Sequence, residues 1–591
     1  MKNTPSNILH FLILIFISTA TYSSQNLKNH PSPYIRMHAN DAVKWHVWDQ
    51  SVIDQAKKEN KIIYISIGYY ACHWCHVMRK ESFLNKEVGD YINTNFIAVK
   101  VDRELNPALD NYLMTFLNNT QGYGGWPLNV FVTPQGYPLI GMVYKPAEKF
   151  KIFITNIQAQ WKSKDMELSA LAEQTFEFFN LTGQKTVKLM SVKELNKILM
   201  LQLHQSADEL EGGLGSQSKF PRPPLLLVLL DLYQQDKDEW LKEFLTLTLD
   251  QMMTGGLHDV IGGGFFRYTV DPNWKIPHFE KMLYTNAGLI QVYLKAYKIF
   301  KNKKYLQVAI ETTEFMIRDM KIGQGGFASS INSQDKQGIE GGGYIWDRKQ
   351  LEKTFNTQQI KKIKKHWVYI DMESTENIFP TGLALGLQWQ EIKQRLREKR
   401  KSESHGLDDK RLPSWNGYAL SALAKIVKAS ERKDFKQAGE DLYHWLIQQA
   451  ENGLSRPGAG NRKYLEDYAF VAQGLSDWQK YVQTKATVTK KQTERVKKLL
   501  NDSIKLFVST SGWRLSDTQL LPMPSDQLNL PDAQLPASDV VVLSLLHQFG
   551  LSESLSKALR VTKRKTQLDA GVTASPVDFA SQTQYQQRFA K

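Results

Sequence analysis

The stretch KIIYISIGYYACHWCHVM, residues 61–78, decides how this chain is read. Its first half is a run of aliphatic and β-branched residues closed by Gly68, which predicts a buried strand. Its second half carries Cys72 and Cys75, the two cysteines of a 591-residue chain, and reads as the start of a helix. Two thiols separated by two residues at a helix start can form a disulfide across one turn, and the positive end of the helix favours a thiolate on the first. On this reading Cys72 attacks and Cys75 resolves the mixed disulfide.

Three other chemistries fit Cys72-His73-Trp74-Cys75-His76. Cys-x-x-Cys-His is also the attachment signature of a c-type haem, with His76 as the iron ligand. Haem attachment does not require a preceding buried strand, whereas a thioredoxin-type dithiol sits directly after one, so haem is the disfavoured reading. A metal site made of Cys72, Cys75, His73 and His76 would have to close a tetrahedron from neighbours on one short helix, which is difficult. An inert structural disulfide is the third. The expectation is therefore a redox disulfide with no further cofactor and no metal.

Residues 1–20 combine Lys2, an apolar core over 8–17 and Ser18-Thr19-Ala20, which predicts a signal peptide cleaved after Ala20. The core is too short to span a bilayer comfortably, and an uncleaved N-terminal anchor is the alternative. The expected location is periplasmic or secreted, with no membrane span once the leader is removed. Exported folds commonly use several disulfides, and this chain has no cysteine to spare for a structural one, which favours a chemical role for the pair.

A content of 42% hydrophobic and 23% charged residues describes a soluble globular protein too long for one core, so two domains are expected. The formal charge of +15 comes from scattered lysines, with no basic run interleaved with aromatics, so a solvated basic surface is expected rather than a nucleic-acid partner.

The first domain is expected over residues 27–180. Helices are predicted at 49–60, 75–93 and 107–118, strands at 61–68, 96–102, 128–133 and 137–143. A thioredoxin-like sheet places a cis-proline at the opening of the strand beside the dithiol, leaving backbone free to pair with an extended substrate. Pro127 stands at that point, and Trp126-Pro127 together with Trp74 and His76 are the predicted substrate-binding residues.

Several blocks carry a family resemblance: Pro31-Ser32-Pro33-Tyr34, His38-Ala39-Asn40, Trp45 and Trp48, GYYACHWCHVMRKESF at 68–83, KVDRELNP at 100–107 and GGWPLNVFVTPQG at 124–136. These resemble the N-terminal domain of the spermatogenesis-associated protein 20 family, which implies a thioredoxin fold joined to a helical barrel. Beyond residue 185 apolar residues recur at helical spacing between glycine-rich loops, a pattern that fits a toroid or a solenoid. GGLGSQSKFPRPP at 212–224, GGLHDVIGGGFFRYTVDPNWKIPHFEKMLY at 255–284, LDDKRLPSWNG at 407–417 and LEDYAF at 465–470 resemble the same family's second domain. The resemblance implies an (α/α)6 barrel similar to six-hairpin glycosidases and N-acylglucosamine 2-epimerases, expected over 185–560. A polar tail after 565 reads as disordered.

His258, Asp259, Arg267, His278, Glu280, Asp408, Trp415, Asn416, Glu466, Asp467 and Tyr468 fall at predicted helix ends or glycine loops and form the candidate barrel site. Glycoside chemistry uses two carboxylates flanking one bond, and Glu280 with Asp467 is the candidate pair. Helix capping by these same residues is the competing reading. Two departures from the family pattern weaken the barrel site: Ile331 and Asn332 stand where an acidic cluster is expected, and Thr285 where an aspartate is expected. The leading expectation is a thiol-disulfide oxidoreductase or redox-linked binding protein acting on protein thiols or disulfides. A carbohydrate-active barrel, hydrolase or epimerase, with the thioredoxin domain as accessory is second, and a non-catalytic scaffold is third.

Overall fold

The computed structural model describes residues 27–183, 185–323, 325–372, 375–381, 389–400, 405–483, 488–523, 529–561 and 567–589. The predicted signal peptide lies outside the described residues.

Strand β1 (Ile63–Gly68) is buried along its whole length. It pairs in parallel with β2 (Ile97–Asp102), Ile65 opposite Val99, and antiparallel with β3 (Leu128–Val132), Ile65 opposite Val130. β4 (Pro138–Met142) completes the order β2-β1-β3-β4. Helices α1 (Gln50–Glu59), α2 (His73–Met78), α3 (Lys86–Asn95) and α4 (Pro107–Gln121) surround the sheet. Ile63, Ile65 and Ile67 pack with Val52 and Ile53 of α1 and Leu113 of α4, while Tyr64 on the other face stacks on Phe131. Burial on both faces is why IYISIG is almost continuously apolar instead of alternating.

The helix expected over 75–93 is broken. α2 ends at Met78, a wider π-type turn covers Arg79–Phe83, and Asn85 caps α3 by accepting the Val88 N–H. The Phe83 carbonyl is taken instead by the Ala42 N–H. A side-chain cap inside an apolar run ends one helix and starts another, a signal the hydrophobic pattern conceals.

Helix α5 (Ala147–Gly183), bent at the non-helical Lys164, leads into the second domain. Six helices form an inner ring: α7 (Pro223–Asp236), α9 (Leu283–Phe300), α11 (Pro413–Ser430), α13 (Leu465–Tyr481), α15 (Ser538–Gln548) and α17 (Ala580–Phe589). Each packs on the next, and α17 returns to α7. Around them lie α6 (Val192–Ser206), α8 (Glu239–Thr254), α10 (Lys303–Phe315), α12 (Lys433–Glu451), α14 (Lys490–Phe507) and α16 (Ser552–Val561), each against an inner helix. This closed double ring is an (α/α)6 barrel. Outer helices are one-faced, as α14 shows by burying Val496, Leu499, Leu500, Ser503, Ile504 and Phe507. Inner helices are buried nearly all round, and α9 buries every residue from Leu283 to Leu294. The inner helices α11 and α13 cross where Gly417 meets the Phe470 carbonyl, a contact that leaves no room for a Cβ.

The polar tail expected after 565 is corrected by the last of these helices. Residues 567–569 pair antiparallel with 186–188, and α17 closes the ring. Its polar residues have partners: the buried Gln582 donates to the Leu530 carbonyl at 2.8 Å and to Asp539, and the half-buried Gln584 donates to Asp231 of α7. The barrel therefore extends to 589. Among the described residues no helix is long and apolar enough to cross a membrane.

The thioredoxin-like domain sits on the N-terminal ends of the inner helices. The Tyr464 hydroxyl, just before α13, donates to the Leu105 carbonyl at 2.7 Å, and Arg456 donates to the Glu104 carbonyl at 2.6 Å. Lys410, just before α11, is fully buried and lies 3.0 Å from Asp102 and 3.2 Å from Glu104, with Asp408 also bonded to it.

Candidate functional site

The end of β1 aims the chain into a tight turn, and Cys72 then caps α2. Its Sγ accepts the Cys75 N–H at 3.2 Å, and its carbonyl accepts the His76 N–H. Cys72 and Cys75 are joined in a disulfide, their Cα atoms 5.3 Å apart. Both are buried, Cys72 at 4% exposure. Gly68 is required below them, because a Cβ there would lie 2.7 Å from the Cys75 Sγ and collide with the Tyr34 hydroxyl. An N–H aimed at the first sulfur and the positive end of α2 both favour a thiolate on Cys72 once the bond is reduced.

Trp74 is the exposed aromatic of the motif, at 42%, and its ring lies 4.9 Å from that of Tyr144. His76 bonds the Tyr70 carbonyl through Nε2 at 2.8 Å, and burial drops its pKa to about 4, leaving a neutral ring. The peptide between Trp126 and Pro127 is cis. The Trp126 indole donates to Asp110 at 2.8 Å and lies near two guanidinium groups, Arg103 at 3.9 Å from the ring centre and Arg267 of the barrel at 5.3 Å.

Barrel residues complete the surroundings of the dithiol. Arg267 donates to the hydroxyls of Tyr69 and Tyr284, both at 2.9 Å, and pairs with Glu280 at 3.2 Å. The second oxygen of Glu280 is buried without a hydrogen-bond partner among the described residues. Glu340, from the glycine-rich turn at 338–343, is shared by two histidines: His73 of the Cys-His-Trp-Cys motif at 3.2 Å and His278 of the barrel at 2.5 Å. Burial disfavours a charge on both. For His278 the Glu340 hydrogen bond and charge, with Glu280, outweigh burial and raise the pKa. For His73 burial prevails over Glu340, His278 adds repulsion, and the pKa falls. Of the two histidines, the barrel one is therefore the more basic, one carboxylate away from the dithiol helix.

The remaining predicted residues form other contacts. Asp259 pairs with Lys281 at 2.6 Å and Arg400 at 2.7 Å; burial opposes its charge, but these cations hold its carboxyl well below the usual range. His258 is buried against Phe265, and burial lowers its pKa. Asn416 ties Phe327 to the first turn of α11 through both its carbonyl and its amide. Trp415 packs edge-on against Tyr284, and Tyr468 against Phe507. Asp467 accepts from Arg456 through both oxygens and from the Ser414 N–H, and Glu466 also bonds Arg456. No described hydrogen bond or ion pair joins Glu280 to Asp467. Of the departures from the family pattern, Ile331 is buried in a strand against Lys281 and Leu407, the Asn332 side chain accepts the Gln334 N–H, and Thr285 is buried.

The sequence reading missed Tyr69, Arg103, Glu340 and Lys410. Tyr69 and Arg103 lie inside quoted blocks, one residue past β1 and β2, where a strand end delivers side chains to the site. Glu340 is the lone acid of the glycine-rich stretch KQGIEGGG at 336–343.

The fold and the site define a thioredoxin-like domain, with a closed Cys-x-x-Cys disulfide, docked on the mouth of an (α/α)6 barrel. Residues 24–180 match the family model Thioredox_DsbH, described as a protein of unknown function, DUF255. Spermatogenesis-associated protein 20 of Rattus norvegicus is 31% identical over 528 residues, covering 77% of this chain and 67% of the relative. The chain belongs to the spermatogenesis-associated protein 20 family. Among solved structures, cellobiose 2-epimerase from Bacillus thermoamylovorans is 12% identical, covers 63% of this chain and 86% of its own, and has a TM-score of 0.42. A DsbH oxidoreductase is 18% identical, covers 20% of this chain and 85% of its own, and has a TM-score of 0.17.

Proposed function

We propose that this protein is an exported thiol-disulfide oxidoreductase whose barrel forms one wall of the redox site. The observation that carries the reading is Cys72 at the N-cap of α2, its sulfur accepting the Cys75 N–H and bonded to the Cys75 sulfur. In the reducing direction the Cys72 thiolate attacks one sulfur of a substrate disulfide, forming a mixed disulfide and releasing one substrate thiolate. The Cys75 thiolate then attacks Cys72, releases the second thiolate and closes the internal disulfide. Two electrons pass from the dithiol to the substrate, and a substrate dithiol reverses the sequence. In this reading the His73-Glu340-His278 cluster, whose first histidine lies on the dithiol helix, exchanges protons with the thiols. The substrate class is a protein or peptide thiol or disulfide, with the exposed Trp74 beside the dithiol as its first apolar contact.

The test is equilibration of the pair with glutathione buffers, with free thiol quantified. A reversible two-electron couple above roughly −300 mV supports exchange, and resistance to reduction below that value marks a structural bond. Insulin-disulfide reduction should be lost in Cys72→Ser.

A further inference from the structure

The end of the barrel remote from the dithiol contains a polar cavity of about 360 Å³, within the size range of small-molecule sites. It lies between the inner helices, with most of its cations on their C-terminal turns. Lys295 and Lys298 come from α9, Lys425 and Lys428 from α11, Lys480 from α13 and Arg588 from α17. Asp477 is the one acid among the described lining residues. Lys425 lies 3.6 Å from Asp477, and Asp231 behind the wall takes Lys295 at 2.5 Å and Arg588 at 3.5 Å. Lys298, Lys428 and Lys480 have no acidic partner among the described residues.

Cations at helix C-termini are expected on electrostatic grounds alone, because each terminus is equivalent to about half a negative charge. Two features go beyond that role. The Gln291 amide nitrogen and the Tyr418 hydroxyl, on residues 5% and 1% exposed, lie on the cavity wall without hydrogen-bond partners among the described residues. Lys425 already occupies the Gln291 amide oxygen, so the nitrogen is the free end of that side chain. A buried donor without an acceptor is costly, and a ligand oxygen would relieve that cost. Ammonium groups without an acidic partner and unpaired neutral donors lining one cavity are complementary to a compact group with several charged oxygens.

We infer that the rear mouth of the barrel binds a small phosphomonoester, its phosphate held by Lys298, Lys428 and Lys425 and by the donors of Gln291 and Tyr418. The polar lining deeper in the wall, Gln473, Ser544 and Gln548, suits a hydroxylated body attached to the phosphate.

The test is calorimetric titration of the intact protein with inorganic phosphate, glycerol 3-phosphate and glycerol at fixed chloride. Both phosphates should bind saturably and glycerol should not. The double variant Lys298→Gln/Lys428→Gln changes exposed side chains, so the fold should persist, and its affinity should fall about tenfold or more. Tyr418→Phe keeps the shape and should also weaken binding. The control Lys57→Gln/Lys58→Gln, on exposed positions of α1, should bind as the unaltered protein does. Absence of saturable phosphate binding, undiminished binding in the double variant, or an equal loss in the control would overturn the inference.

Discussion

Arg267 of the barrel donates to the Tyr69 hydroxyl of the thioredoxin-like domain across 2.9 Å, both side chains buried. Tyr69 is the residue immediately after β1, so this bond fixes the strand end from which the dithiol turn departs. The same guanidinium pairs with the buried Glu280 and lies over Trp126. One cation therefore holds three parts of the site in register.

Removing that cation strands a buried carboxylate. Arg267→Met should lower stability by about 3–5 kcal/mol, the usual effect of breaking a buried pair. Tyr69→Phe removes a single hydrogen bond to a charged group and should lose about 1.5–3 kcal/mol. Urea unfolding of both variants measures the difference, and equal losses would show that Glu280 does not depend on Arg267.

For the proposed exchange reaction, the cap sets the expected order of attack at the disulfide. Cys72 receives the Cys75 N–H, and Cys75 has 1% exposure. Cys75→Ser should accumulate a mixed disulfide at Cys72 with a labelled peptide disulfide, detectable by intact mass and released by dithiothreitol. Cys72→Ser should accumulate none. Trapping in Cys72→Ser in place of Cys75→Ser would reverse the assignment.

Lys410 neutralises carboxylates from both domains. Burial disfavours its ammonium, yet Asp102, Asp408 and Glu104 raise its pKa well above the usual lysine value. Burial pushes Glu104 up to about 7, with Lys410 opposing the shift. Lys410→Met leaves Asp102, Asp408 and Glu104 buried without their cation, and removes the charge that opposes the upward shifts of Glu104 and Asp408. A carboxyl raised in this way binds protons more readily when folded, and its penalty grows as pH rises. The variant should lose about 3–5 kcal/mol at pH 8 and markedly less at pH 5. Denaturant midpoints at the two pH values check this, and a pH-independent loss would contradict it.

Much of the first domain was legible because strands buried on both faces leave continuous apolar runs, and because the dithiol directly follows one of them. The break at Asn85 was hidden, since a cap made by one amide does not disturb the surrounding pattern. In the barrel, helical spacing showed the helices but not their closure. α17 was missed because it is polar: Gln582 and Gln584 are held by hydrogen bonds to Asp539 and Asp231, residues far away in sequence. The candidate barrel residues divided for the same reason. Arg267 bonds Tyr69 and Glu280, and His278 shares Glu340 with His73 of the dithiol helix, whereas Asp467, Asp259 and Asn416 are engaged by Arg456, Lys281 and Phe327, partners that sequence position alone does not reveal.

The buried histidines set the response to acid. Burial lowers the pKa of His38 to about 3, with Lys100 adding repulsion and Asp41 opposing, and that of His76 to about 4. The unfolded chain takes up these protons near pH 6.5, whereas the folded protein refuses them until pH 3–4. Between those limits the unfolded state binds more protons, so stability falls as pH decreases, by about 3 kcal/mol for a single histidine shifted this far. His278, with its pKa raised, acts in the opposite direction and offsets part of the loss. His76→Gln retains a donor for the Tyr70 carbonyl and removes the titration. Urea unfolding at pH 7, 6 and 5 should therefore show a shallower decline for His76→Gln than for the unaltered protein. Parallel declines would mean that His76 is charged in the folded state.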